Sequence, residues 1–317
     1  MMKAIQVTEF GGPEVLVLRE VEEPQLVENA IMINVQAAGV NYADTHHAEN
    51  SYLAAAQLPL IPGAEVVGTT PDGKRVVSLL PAGGGYAEKA FSFQPLIWEL
   101  PDAVSDAAAL SVILQGATAW HLLRTSAKVH EGESVVVHAA AGGVGTIAVQ
   151  LAKRWGAGRV IATASTEEKR TLALELGADV AIDSRAPDLK EAIQEANEGA
   201  KVDVILDMAG GPTFDAGLAA LAPFGRIVTY GGASREAAKP IDPARLISSS
   251  RAVVGFWLTH CAMVPGMLDA AVSDLLTLVA NGEVRTILGG TYPLAEARKA
   301  HEDLRARGTT GKLVLTT

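Results

Sequence analysis

The apolar positions of this chain change rhythm partway along. From the first residues to about 115 they come in short runs broken by glycine and proline, which is the pattern of β structure. Lys3–Glu9, Glu14–Glu20, Ala30–Ala38, Glu65–Thr70 and Arg75–Leu80 read as strands. Turn signals at Gly11-Gly12-Pro13, Pro62-Gly63 and Pro71-Asp72-Gly73 separate them, and the spacing predicts a compact, partly open barrel. Pro101 leads into Ser105–Leu123, a mix of small and apolar residues that predicts a helix. From Ser134 onward strands alternate with helices. Ser134–Ala139 is an apolar strand, Ala140–Gly143 a turn, and Val144–Trp155 a helix whose Val144, Ile147, Ala148, Leu151 and Trp155 share one face. Val160–Ala164, Val180–Ile182, Val202–Asp207, Arg226–Tyr230 and Ala252–Leu258 follow as strands, and a helix near Thr166–Leu176 stops at Gly177. Such alternation predicts βαβ units around a parallel sheet. Beyond Pro265 come helices near Met267–Ala280 and Leu294–Ala306 and a strand, Lys312–Leu315.

A length of 317 residues suits about two domains. Lys and Arg total 26 against 36 Asp and Glu, a net charge of −10, which argues against nucleic acid as a partner. The single cysteine, Cys261, excludes an internal disulfide framework and any multi-cysteine zinc site. Ala107–Leu123 and Ser134–Ala152 carry no formal charge, but polar residues and glycines interrupt both, so they read as buried elements and not membrane spans. The first residues look like a strand and lack the apolar core of a signal peptide, so a cytoplasmic protein is expected.

The chemistry concentrates at Val135-Val136-Val137-His138-Ala139-Ala140-Ala141-Gly142-Gly143-Val144-Gly145, where a strand turns into a helix. A pyrophosphate needs backbone N–H groups at close range and a positive helix end, and glycines permit that approach. Gly142 and Gly145 keep the last two positions of G-x-G-x-x-G, while Ala140 replaces the first. A tight turn in a plain α/β domain would use the same glycines. The next strand ends Ala162-Thr163-Ala164-Ser165-Thr166, without the carboxylate that binds a ribose 2′-hydroxyl in NAD sites. Ser165 can donate a hydrogen bond there, and Lys169 or Arg170 can neutralise a 2′-phosphate. This favours NADPH, although Lys169 and Arg170 would also suit a solvated helix face and Glu167 and Glu168 lie close by.

These segments, taken in order, resemble the zinc-independent quinone oxidoreductase branch of the medium-chain dehydrogenase/reductase family. The likeness runs nearly end to end. It is carried by Phe10-Gly11-Gly12-Pro13-Glu14-Val15-Leu16, Ala38-Gly39-Val40-Asn41-Tyr42-Ala43-Asp44, Pro62-Gly63-Ala64-Glu65-Val66-Val67-Gly68, Gly84-Gly85-Tyr86-Ala87-Glu88, Gln115-Gly116-Ala117-Thr118-Ala119, the nucleotide turn, Tyr230-Gly231-Gly232 and Thr310-Gly311-Lys312-Leu313-Val314-Leu315. The resemblance implies an α/β chain: a Rossmann-type doubly wound parallel sheet over residues 116–265, and a GroES-like barrel built from 1–115 and 266–317. It implies an active site in the cleft, with Asn41 and Thr118 near the nicotinamide. Gly142, Gly143 and Val144 would hold the pyrophosphate, and Ser165 and Lys169 the 2′-phosphate. Gly231, Phe256 and Lys312 would line the cofactor cleft. A homodimer joined through the strand near Ala252–Leu258 is also implied.

Zinc members of the wider family carry a cysteine ligand that this chain lacks, so no metal is expected. His46 and His47 are adjacent on a helix, face different ways and have no cysteine to join them. Hydride transfer then depends on a preorganised site, and a quinone needs little beyond an apolar slot and a few donors. Tyr52 matches the proposed proton donor of the related enoyl-thioester reductases, which makes reduction of an activated C=C bond the alternative; a packed loop tyrosine would look the same. Gly255-Phe256-Trp257-Leu258 is also similar to those reductases. A third reading is an NADPH-binding protein with a structural or regulatory role. Two departures stand out. Ala48-Glu49-Asn50 replaces a stretch in which the family often has Arg and Gly, so a negative charge is expected near the acceptor. The connection Thr69–Arg75 is also shorter than usual.

Overall fold

Val135, Val136, Val137, Val160, Ile161, Val204, Ile205 and Leu206 have no exposed surface. Strands apolar on both faces belong in a sheet covered on both sides, which parallel strands with helical crossovers provide. In the computed structural model, which describes residues 1–317, these strands form the centre of one of two units, Gln115–Cys261. Its six-stranded sheet runs in the order Val180–Asp183, Arg159–Ala164, Ser134–Val137, Val202–Asp207, Leu221–Thr229, Ala252–Gly255. Every neighbouring pair is parallel. Numbered along the chain the order is 3-2-1-4-5-6, the doubly wound arrangement, and its switch point lies between Ser134–Val137 and Val202–Asp207.

The other unit joins Met1–Leu114 to Ala262–Thr317. Its main sheet has the order Leu288–Pro293, Lys312–Thr316, Ala30–Val40, Glu65–Thr69, Arg75–Leu79, Ile97–Glu99, with Lys89–Phe93 also paired to Ala30–Val40. All pairings are antiparallel except Leu288–Pro293 with Lys312–Thr316. Ile5, Ile33, Val66, Tyr86, Leu313 and Leu315 belong to the core beneath it. No helix of either unit is long and apolar enough to cross a membrane.

The elements differ from expectation in informative places. Pro13 opens a 3-10 turn at Pro13–Val15, so the second strand begins only at Val17. Leu288–Pro293 is a strand despite two glycines and a proline, and both Lys89–Phe93 and Ile97–Glu99 are strands that local pattern did not single out. The helix expected over Ser105–Leu123 alternates: α at Asp106–Leu110, π at Ser111–Gly116, α at Ala117–His121 and π at Leu122–Ser126. Wider π turns leave no mark in a 3.6-residue pattern and are frequent at functional sites.

Candidate active site

The nucleotide turn begins where strand Ser134–Val137 ends. Ala139 takes a left-handed conformation, φ 50°, a region most residues avoid. The Ala140 N–H donates to Thr163 O at 3.1 Å and the Gly142 N–H returns to Ala139 O at 2.8 Å. Helix Gly143–Arg154 starts at once. The first-turn N–H groups of Gly143, Val144 and Gly145 have no carbonyl within their own helix to bond, and the helix field is positive there. A Cβ on Gly145 would overlap Ala139 O, and one on Gly143 would overlap the Gln115 side chain. Glycine is thus demanded by close packing on one side of the turn, and on the other it leaves backbone donors bare. A diphosphate fits such a cradle.

At the end of the next strand Ser165 is half-buried, and burial lowers the Lys169 ammonium below its ordinary range. Asp183 lies level with Ala164 across the parallel pair. That register places Arg185 beside the strand tip, where its guanidinium donates to Ser165 O. Arg170 donates to Ala164 O at 3.3 Å and stands 3.7 Å from Asp183. Arg185 was not singled out from the sequence; its signal was a cation two residues beyond the strand that pairs with the Ser165 strand.

The remaining predicted residues of this unit occupy two further places. Thr118 and Gln115 are buried, 6% and 9% exposed, on the α/π helical run. Phe256 follows strand Ala252–Gly255, donates its N–H to Thr229 O at 3.0 Å, and stacks on His121 with ring centroids 6.1 Å apart. Gly231 lies against Met208, where a Cβ would come 2.9 Å from the Met208 carbonyl oxygen.

In the other unit Asn41 sits where strand Ala30–Val40 turns into helix Tyr42–Ala48. Its backbone N–H donates to Asp44 Oδ2 at 2.8 Å, and its Nδ2 donates to Glu65 Oε1 at 2.7 Å. Lys312 Nζ donates to Asn41 Oδ1 at 3.1 Å and to Glu65 Oε1, with Val40 O at 3.5 Å. Lys312 and Glu65 are both fully buried. Lys312, expected to line a cofactor cleft, has an enclosed side chain whose ammonium meets three oxygens. Tyr86 OH donates to Asp44 Oδ2 at 2.9 Å and stands 3.1 Å from His301 Nε2. Burial pushes the Asp44 carboxyl up to about 6 and the His301 imidazole down to about 4.

Tyr52 lies beyond the far end of helix Tyr42–Ala48. His47 meets its ring edge-on at 4.7 Å between centroids, and His46 stands 6.1 Å away. The two histidines, expected to diverge, therefore both approach the tyrosine. Glu49, expected as a negative charge facing the acceptor, is paired with Arg305 at 2.8 Å.

Comparison with known proteins agrees with this architecture. The alcohol dehydrogenase GroES-like domain family matches residues 27–89, and the zinc-binding dehydrogenase family matches 143–273. The fold and these matches define a medium-chain dehydrogenase/reductase. Within that family the chain belongs to the quinone oxidoreductase branch. It is 33% identical to a quinone oxidoreductase of Pseudomonas aeruginosa over 99% of both chains. A quinone oxidoreductase of Escherichia coli, solved in complex with NADPH, superposes with a TM-score of 0.93 at 32% identity, covering 99% of this chain and all of the other. A 2-haloacrylate reductase of a Burkholderia species is 32% identical over 99% of each chain.

Proposed function

We propose that this protein is an NADPH-dependent quinone oxidoreductase that works without a metal. The observation that carries the nucleotide is the pair of strand ends just described. One opens into bare helix N–H groups, and the next offers Ser165, Lys169 and Arg185 with no carboxylate at its own tip. Gly142, Gly143 and Val144 hold the pyrophosphate in this reading, and Ser165, Lys169 and Arg185 hold the 2′-phosphate. Gly231, Phe256 and Thr118 line the rest of the nucleotide site. NADPH, when bound, supplies the hydride. The protein binds, orients and excludes water, and a quinone that accepts a hydride takes one proton to become the hydroquinone. Asn41 orients the reacting groups.

Metal independence is supported by the Lys312 ammonium, which already meets oxygens of Glu65, Asn41 and Val40 and balances the Glu65 carboxylate from within the chain. We also propose a homodimer. Strand Ala252–Gly255 is an edge with a neighbour on one side only, and Phe224 and Ile247 nearby are 84% and 79% exposed. An unpaired edge with apolar flanks suits a two-fold interface. A cytoplasmic location, where NADPH is a soluble reductant, completes the reading.

A second reading, reduction of an activated C=C bond, is favoured by Tyr52 among His46 and His47 and by the likeness to a 2-haloacrylate reductase. There the Tyr52 phenol holds the proton for the α-carbon. One experiment separates the two. Purified protein without added metal is offered NADPH or NADH with a quinone panel, a crotonyl thioester and 2-chloroacrylate. Quinone turnover with NADPH preferred over NADH is expected. Tyr52→Phe is expected to spare quinone reduction and to cut any C=C reduction about tenfold or more. Turnover with the C=C substrates alone would replace the leading reading with the second.

A further inference from the structure

Lys312 and Glu65 are two fully buried opposite charges, and stability alone does not account for them. Apolar residues of similar volume often replace a buried ion pair at no loss. What the pair does have is a shared neighbour. Lys312 can only donate and the Glu65 carboxylate can only accept. Asn41 lies against both, with Oδ1 on Lys312 and Nδ2 on Glu65. Turning the carboxamide over would set its NH2 against the ammonium and its oxygen against the carboxylate. We propose that Lys312 and Glu65 are positioning residues that fix which edge of the Asn41 carboxamide, donor or acceptor, meets a ligand. This rests on the reading that Asn41 serves the reacting centre.

The fold supports the arrangement at each point. Strand Lys312–Thr316 lies antiparallel to Ala30–Val40 with Leu313 opposite Val40, which brings Lys312 level with Asn41. Strand Glu65–Thr69 lies on the other side with Val66 opposite Ala38, which brings Glu65 level with Gly39. A Cβ on Gly39 would overlap both Glu65 and Lys312, so the glycine makes room for the pair. Asp44 accepts from the Asn41 backbone N–H, and its own backbone N–H caps the Asn41 side chain, so the start of helix Tyr42–Ala48 holds Asn41 in place beside the pair.

The double variant Lys312→Met with Glu65→Leu removes both charges together and leaves neither buried alone. NADPH affinity is measured by nucleotide fluorescence, and kcat and KM by quinone reduction. The NADPH dissociation constant is expected to change less than about threefold while kcat falls about tenfold or more, as a misplaced contact group does. Asn41→Ala is then made in both backgrounds. It is expected to cost about tenfold in kcat in the native chain and under about twofold in the double variant, since coupled residues are not additive. A double variant with native kcat, or an equal Asn41→Ala effect in both backgrounds, overturns the proposal. If the double variant does not fold, Gly39→Ala presses on the pair with its charges intact. The same kcat loss at unchanged NADPH affinity is expected there, and native kcat overturns the proposal.

One readout does not need turnover. The Asn41 side-chain NH2 resonances, assigned by their loss in Asn41→Ala, are expected to shift and to exchange faster with solvent when the pair is removed or crowded. Unchanged resonances overturn the positioning role. A shifted NH2 pair in a protein that reduces no acceptor would leave the positioning intact and sink the functional reading instead.

Discussion

Asp44 and His301 stand on either side of the Tyr86 hydroxyl and titrate in opposite senses. Burial raises Asp44 to about 6 from 3.8, so the native chain binds a proton across that window when the unfolded chain does not, and stability falls as pH rises through it. Burial lowers His301 to about 4 from 6.5, so there the unfolded chain binds the extra proton, and stability rises with pH. Asp207, up to about 6, and His138, down to about 4, repeat the opposition in the other unit. The two carboxyls and the two imidazoles therefore oppose each other between pH 4 and 6. Asp44→Asn keeps an acceptor for Asn41 N–H and Tyr86 OH but removes one falling slope. Urea unfolding is expected to show stability rising more steeply with pH in the variant than in the native chain, with a gain at pH 7 of up to about 3 kcal/mol. Parallel curves for the two proteins would refute the burial argument. Of this cluster, Asn41 and Lys312 were legible in the sequence through resemblance. Asp44, Glu65 and Tyr86 lay within recognised segments without an assigned role, and His301 gave no signal, because partners across strands share no local spacing.

Among elements, the parallel strands were easiest to read, since runs such as Val135-Val136-Val137 are buried on both faces and need no alternation. Leu288–Pro293 was opaque because its glycines and proline spell a turn, and only pairing with Lys312–Thr316 makes it a strand. The helix after the nucleotide turn was legible in its apolar face, and its glycines now have separate causes. Gly145 packs against the Ala139 and Ala140 backbone, which cannot move aside cheaply, whereas a Cβ on Gly142 meets only Ala139 O at 3.2 Å. Gly145→Ala is therefore expected to weaken NADPH binding about tenfold or more and to destabilise the fold by about 1–3 kcal/mol, as overpacking does. Gly142→Ala is expected to be milder in both. Nucleotide titration and denaturant unfolding of the two variants, side by side, check the order; a reversed order would mean that the Gly145 contact is relieved by movement of the turn.

For the molecule as a whole, the proposed dimer is the property most open to test. Ile247→Asp with Phe224→Asp sets charges on the apolar flanks of the Ala252–Gly255 edge. Light scattering after size exclusion is expected to give half the native mass for the variant, and a native protein that already runs as a single chain would end the dimer proposal. The tie between Lys312 and Glu65 also bears on how the molecule is made. They are separated by 247 residues, roughly 12–50 seconds of ribosomal synthesis. During that interval residues 115–261 are made, while Glu65 waits for Lys312 and strand Ala30–Val40 for its pairing with Lys312–Thr316. Closing the Lys312–Glu65 pair is thus a long-range step, made only after the chain between the two residues exists.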